Sequence, residues 1–230
     1  MQTPAKPLPT LEEHRLDAAR ASGGTSADVI YDPILEVIRE HDLRGWALDY
    51  GAGIGNLTRR LFALGCFEQV AGADILPRPE SLPSAIEWRC LDLNQRDVVP
   101  DASFDTVVAA EVIEHLENPR EVARDLYRIL KPGGRLILST PNNESIRALV
   151  SLLLRGHFVA FDDSSYPAHI TALVRKDLVR ILTEAGFSGV RLSFTNYGCL
   201  PTMRTTWQQI SFGRLRGCRF SDNVIATATK

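Results

Sequence analysis

Three carboxylates stand where apolar runs break off: Asp49 in WALDYGAGIG, Asp74 in QVAGAD and Asp92 in CLDL. Gly51, Ala52, Gly53 and Gly55 follow the first as a GxGxG run. Glycine accepts φ > 0 and lacks the Cβ that keeps a ligand off the backbone. The run therefore fits either a tight strand-to-helix turn or a cradle for a small molecule. Asn56 stands where GxGxxG would place its last glycine, so the dinucleotide fingerprint is incomplete. Asp49 would repel a pyrophosphate and attract a cation. Asp74, about twenty residues beyond the glycines, suits the two hydroxyls of a ribose, and Asp92 can approach an adenine edge. Each aspartate alone also fits an ordinary loop or cap. Three at neighbouring strand tips are harder to dismiss.

A second constellation is Glu111, Glu114 and His115 in EVIEHL, with His169 in PAHIT. Two carboxylates and two imidazoles can hold magnesium, manganese or zinc. Such an ion would bind an acceptor hydroxyl and lower its pKa. Without metal, His115 or His169 is the candidate general base, because imidazole titrates near neutral pH. In the plainer reading Glu111 lines a pocket, Glu114 starts a helix and His115 packs locally.

These residues need elements to place them. Apolar patterning predicts strands over 46–50, 69–74, 86–91, 104–110, 135–140, 190–194 and 223–229. Helices are predicted over 56–64, from the Asn118-Pro119 cap onward, and over 176–185. Alternating strands and amphipathic helices imply a parallel sheet covered on both faces, with ligands bound beyond the carboxyl ends of its strands. Residues 1–10, with three prolines, are expected to be loose. Residues 11–44 read as two helical pieces broken by Ser22-Gly23-Gly24-Thr25-Ser26, the second with Ile30, Ile34, Val37 and Ile38 on one face. The division expected is a tail and helical cap over 1–40 and one domain over 41–230.

The 230 residues, 44% of them hydrophobic, suit one globular domain, and a net charge of −2 argues against a general nucleic-acid binder. Cys66, Cys90, Cys199 and Cys218 form no CxxC pair, which argues against a zinc or disulfide framework and for a reducing compartment. There is no apolar leader of signal-peptide type and no apolar run of about 20 residues. A soluble, cytoplasmic protein is expected.

From LDYGAGIG through GAD, CLDL, FDTVVAAEVIEHL, ILKPGGRLILSTPN and LTEAGF to NVIATATK, the chain resembles the class I S-adenosylmethionine-dependent methyltransferases in segment order and spacing. The resemblance implies a Rossmann-like α/β fold: a seven-stranded, mostly parallel sheet with an antiparallel last strand, helices on both faces and an N-terminal helical cap. It implies S-adenosylmethionine as cofactor. Asp49 with Gly51, Ala52, Gly53 and Gly55 would hold its methionine part, Asp74 its ribose with Ile75 alongside, and Asp92 with Leu93 its adenine. Glu111 would line the same pocket. Tyr50 departs mildly from the small or apolar residue usual at its position. A helix N-terminus near Asn56 suits the cofactor's carboxylate. ExxEH with a distant histidine is similar to the metal-binding pattern of the small-RNA 2′-O-methyltransferases. An acidic version is similar to that of the ubiquinone O-methyltransferases.

The resemblance places acceptor choice in the cap and in segments 142–172 and 195–221. The first segment carries Leu149, Leu152, Leu153, Phe158, Val159 and Phe161 with Arg147, Arg155 and His157 interleaved. It reads either as a helix packed on the core or as a lid over an acceptor with apolar and anionic parts. The STPN-plus-insertion pattern looks like bacterial methyltransferases of sugar and polysaccharide assembly. The second mixes Arg204, Arg214, Arg216 and Arg219 with Tyr197, Trp207, Phe212 and Phe220. That mixture suits phosphate, stacked bases, a homodimer surface or a solvated loop. The expected activity is methyl transfer to a hydroxyl of a small molecule or glycan. An RNA 2′-O-methyltransferase and a non-catalytic cofactor-binding partner are the alternatives.

Overall fold

The computed structural model describes residues 10–230, so the loose tail expected over 1–10 lies, apart from Thr10, outside the described residues. Thr10 caps α1 (Leu11–Ala21) in a reciprocal capping box with Glu13. After the Ser22–Ser26 break comes α2 (Asp28–Glu40), whose Ile30, Tyr31, Ile34, Leu35 and Ile38 are buried. Val37, expected on that face, is only partly covered.

Seven strands follow: β1 (Gly45–Tyr50), β2 (Phe67–Asp74), β3 (Glu87–Cys90), β4 (Phe104–Ala110), β5 (Leu130–Pro141), β6 (Ser188–Phe194) and β7 (Asn223–Thr229). They form one sheet in the order β3-β2-β1-β4-β5-β7-β6. β7 runs antiparallel to both β5 and β6, while the other pairings are parallel. Side chains alternate between faces, as strand geometry requires. Val107 and Ala109 join one core with Leu48, Tyr50, Leu136 and Leu138; Val108 and Ala110 join the other with Ile137 and Ile225. The first face is covered by α4 (Pro119–Ile129) and α6 (Arg175–Ala185), the second by α2 and α3 (Asn56–Ala63). α2 is thus built into the sheet packing, whereas no residue of α1 is buried.

Two local outcomes differ from expectation. β5 begins at Leu130 rather than near 135, because Leu130 pairs with Phe104 and Gly133–Gly134 exchange backbone hydrogen bonds with Lys230. The second concerns the glycines. All three in GxGxG have positive φ, at +82°, +54° and +77°. The space a Cβ would occupy is filled by the protein rather than left for a ligand. At Gly51 that atom would lie 2.4 Å from Val112, at Gly53 2.0 Å from the Gly24 carbonyl oxygen, and at Gly55 2.9 Å from Leu82. Close approach of the α1–α2 hinge to the β1–α3 turn, sealed by Ile54 N donating to Gly24 O at 2.8 Å, therefore demands glycine. Gly53→Ala is expected to destabilise the fold by about 1–3 kcal/mol from backbone strain alone. The loss is read as a lowered midpoint in denaturant, and an unchanged midpoint would show that the hinge relaxes freely.

Candidate active site

The chain order reverses at β1, which pairs β2 on one side and β4 on the other. A cavity of about 600 Å³ opens beyond the carboxyl ends of these strands, where open α/β sheets bind ligands. Asp49, Asp74 and Asp92 reach it from three adjacent elements. Gly51, Ala52, Gly53, Ile75, Leu93 and Glu111 also line it, but Gly55 does not, being set back against Leu82.

Each carboxylate is held differently. Asp49 is 1% exposed and accepts the Thr58 hydroxyl at 2.6 Å. Burial pushes its pKa up to about 7; Thr58 opposes the shift and nearby Asp74 adds to it. Asp74 accepts the Gly53 and Leu76 amides at 2.7 and 2.8 Å, one on each oxygen. Burial raises its pKa, against those amides. A carboxylate offers about four acceptor positions, so room for two hydroxyls remains. Asp92 accepts Asn94 N at 2.9 Å on Oδ1 and the Arg15 guanidinium at 2.7 Å on Oδ2. α3 starts from Gly55 with no side-chain cap, and Leu57 in its first turn lines the cavity, so first-turn amides are candidates for an anionic group.

A cationic ligand beside Asp49 would draw its pKa down again, so binding must expel a proton below about pH 7. Affinity for a sulfonium or ammonium ligand is expected to fall about tenfold between pH 8 and pH 6. Calorimetry in buffers of different ionisation heat should show that proton. The Asp49→Asn variant should abolish both effects; if it keeps the pH slope, Asp49 is not the group. In the ligand-free protein the sign reverses: a raised folded pKa stabilises the fold most below about pH 4 and loses that contribution as pH rises through 7.

His115 and His169 also line the cavity, with ring centroids 4.7 Å apart and nearly edge-to-face. His115 Nδ1 meets the Ala168 carbonyl at 2.8 Å, and His169 Nδ1 meets the Ala160 carbonyl. Both Nδ1 atoms donate, so each Nε2 keeps its lone pair. Burial, with His169 adding, lowers the His115 pKa to about 4. Glu114 is fully buried in the short 3₁₀ turn Ile113–His115, not at the start of a helix. Its Oε2 accepts the Thr140 hydroxyl at 3.1 Å, while its Oε1 has no partner. Burial and Glu111 raise its pKa.

The four expected metal ligands do not assemble as one set. Glu114, His115 and His169 offer ligand atoms within 4.8 Å of one another. Glu111 stands apart, since its backbone is left-handed at φ +56° and its oxygens accept Ser139 Oγ at 2.8 Å and Asn223 Nδ2 at 2.7 Å.

The acceptor segments also need revising. Of 142–172, the cavity wall takes Tyr166, Pro167, His169 and Ile170; the apolar cluster from Leu149 to Phe161 and all of 195–221 contribute nothing to it. Among the described residues the sequence reading missed His14 and Arg15 on α1, which line the cavity. A capping box followed by a basic residue was the only local signal.

Residues 27–192 match the methyltransferase-domain family. A ubiquinone biosynthesis O-methyltransferase of Xanthomonas oryzae pv. oryzae is 32% identical over 214 residues, covering 83% of this chain and 81% of that one. A like-named protein of Idiomarina loihiensis is 25% identical over 154 residues, and the chain spans only 63% of its length. In fold, the chain superposes on an S-adenosylmethionine-dependent methyltransferase from Archaeoglobus fulgidus with a TM-score of 0.61 at 18% identity, covering 94% and 98% of the two chains. Acidic strand tips around a nucleoside-sized cavity, a seven-stranded sheet with one reversed strand, and a family match over most of the chain agree: it belongs to the class I S-adenosylmethionine-dependent methyltransferases.

Proposed function

We propose that this methyltransferase acts on a hydroxyl of a small organic acceptor, and that Glu114, His115 and His169 handle that hydroxyl. The observation that carries the reading is the convergence of these three groups, His115 and His169 on the cavity wall and Glu114 buried behind it. The O-methyltransferase names of the relatives support it. S-adenosylmethionine, when bound, supplies an electrophilic methyl group on a sulfonium. Asp49, Asp74 and the uncapped α3 terminus would orient it, and much of the rate would come from alignment and exclusion of water.

A divalent cation fits the trio. Among the described residues Glu114 Oε1 is a buried oxygen without a partner, and each histidine offers one ring nitrogen within the same 4.8 Å cluster. Glu114, His115 and His169 would hold the ion, which would polarise the hydroxyl and lower its pKa. A histidine as weakly basic as His115 suits a ligand better than a base. Without a cation, one imidazole of the pair would take the hydroxyl proton.

The test is methyl transfer to a panel of hydroxylated ubiquinone precursors, sugars and an RNA oligonucleotide, with and without chelator. Transfer to hydroxylated small molecules, lost in chelator and restored by Mg²⁺ or Mn²⁺, is expected. Binding of Mn²⁺ to the wild-type protein, read by its magnetic resonance signal, checks the cation independently of turnover. Transfer to nitrogen acceptors or RNA alone would overturn the hydroxyl reading. Full activity in chelator would leave a histidine of the pair as the base.

A further inference from the structure

α1 is joined to the domain in an unusual way. None of its residues is buried, and Leu11 is 59% exposed. Nevertheless His14, Arg15, Ala18 and Ala19 line the cavity. At its C-terminal side the helix runs into Gly23 and Gly24, both left-handed at φ +73° and +59°. Such a pair of glycines lets a chain change direction at little steric cost. Beyond them the hinge is fixed to the glycine turn through Ile54 N and to α3 through Asn56 Nδ2, which donates to Thr25 Oγ1 at 2.6 Å.

Along the helix body the anchor is one forked side chain. Arg15 Nη1 donates to Asp92 Oδ2 at 2.7 Å, and Nε and Nη2 donate to the two Glu117 oxygens at 2.9 and 2.8 Å. Asp92 and Glu117 belong to different loops, bridged by Glu117 N donating to Asn94 Oδ1 at 2.9 Å. Asp92 is the carboxylate assigned above to the nucleoside base. Its Oδ1 already accepts both Asn94 N at 2.9 Å and Asn94 Nδ2 at 3.3 Å, so Arg15 and an incoming base amine share Oδ2.

We propose that α1 is a hinged lid over the nucleoside end of the cavity, and that Arg15 is the positioning residue that latches it to Asp92 and Glu117. This rests on the assignment of the cavity to S-adenosylmethionine with its base at Asp92. The lid must leave Asp92 for the nucleoside to enter. Once it closes, Arg15 completes the hydrogen bonding of a carboxylate that is almost shut off from water with Arg15 in place. The latch therefore governs exchange of cofactor and product more than the methyl-transfer step. A guanidinium fork is needed to span both carboxylates.

The test is stopped-flow dissociation of S-adenosylhomocysteine from the full-length protein, with hydrogen exchange of the α1 amides as a second readout. Arg15→Ala is expected to speed dissociation about tenfold or more, and Glu117→Gln to speed it less. Arg15→Lys should restore part of the wild-type rate, because an ammonium reaches only one carboxylate. The thermal midpoint of the ligand-free protein should fall only slightly, since no residue of α1 is itself buried and the loss is that of one ion-paired side chain. Saturation with S-adenosylhomocysteine should slow α1 exchange in the wild type and not in Arg15→Ala. Wild-type dissociation rates in both Arg15→Ala and Glu117→Gln would overturn the latch while leaving the cofactor site standing. Absence of any binding by the wild type would overturn the site assignment and the latch together.

Discussion

Glu114→Gln is expected to lower kcat by at least a hundredfold while S-adenosylhomocysteine binds with nearly wild-type affinity. The split follows from where Glu114 sits. Its side chain is fully buried behind the cavity wall and touches neither the glycine turn nor the strand-tip aspartates. Among the described residues its carboxylate has one partner, Thr140, on one oxygen and none on the other. A carboxylate that ligates a cation or shares in deprotonating the acceptor contributes about 10²–10⁴ in rate. Glutamine keeps the shape and removes the charge. The backbone carbonyl of Glu114 still receives the Ile170 and Thr171 amides, so the loop that carries His169 stays anchored. An unpaired buried amide would cost about 1–3 kcal/mol of stability, which a denaturation curve separates from catalysis. Turnover within threefold of wild type would remove Glu114 from the chemistry. The measurement is kcat at saturating cofactor beside a calorimetric titration.

Asp74→Ala should act in the opposite compartment, weakening cofactor binding about a hundredfold and leaving Mn²⁺ binding at the histidines intact. Hydrogen bonds to a charged group contribute about 1.5–3 kcal/mol each, so two hydroxyls on one carboxylate bring at least about two decades of affinity. The carboxylate also ties Gly53 N to Leu76 N across the cavity floor. Alanine therefore loosens the glycine turn as well as removing the ligand contact. Asp74→Asn retains an acceptor for one amide and separates the two effects: affinity should remain depressed while stability largely recovers. Unchanged calorimetric affinity in both variants would show that the ribose does not sit there.

Much of this was legible in the residues themselves. Strand and helix patterning placed the sheet because the central strands β1, β4, β5 and β7 are largely buried on both faces and the helices packed on them carry one apolar stripe. The strand-tip aspartates were legible for the same reason: a charge that interrupts an apolar run must sit at an edge. What stayed hidden depended on partners distant along the chain. The glycines were noticed, but the atoms that require them, from Gly24, Val112 and Leu82, come from other elements. Glu111 looked equivalent to Glu114 by spacing, until its left-handed backbone and the Ser139 and Asn223 contacts turned it aside. Arg15 lies 77 residues from Asp92 and 102 from Glu117, and nothing local foretells that meeting.

The placement of β7 has a consequence for how the chain comes into being. This strand lies between β5 and β6, and Lys230 Nζ reaches back to the Arg128 and Leu130 carbonyls at 3.1 and 2.7 Å. During synthesis β5 and β6 leave the ribosome well before the ribbon that must be threaded between them. Until then each presents a bare edge able to recruit a neighbouring chain. Nascent molecules thus have an interval of vulnerability that closes only when residues 223–229 slot in, and chaperone demand should peak in that interval.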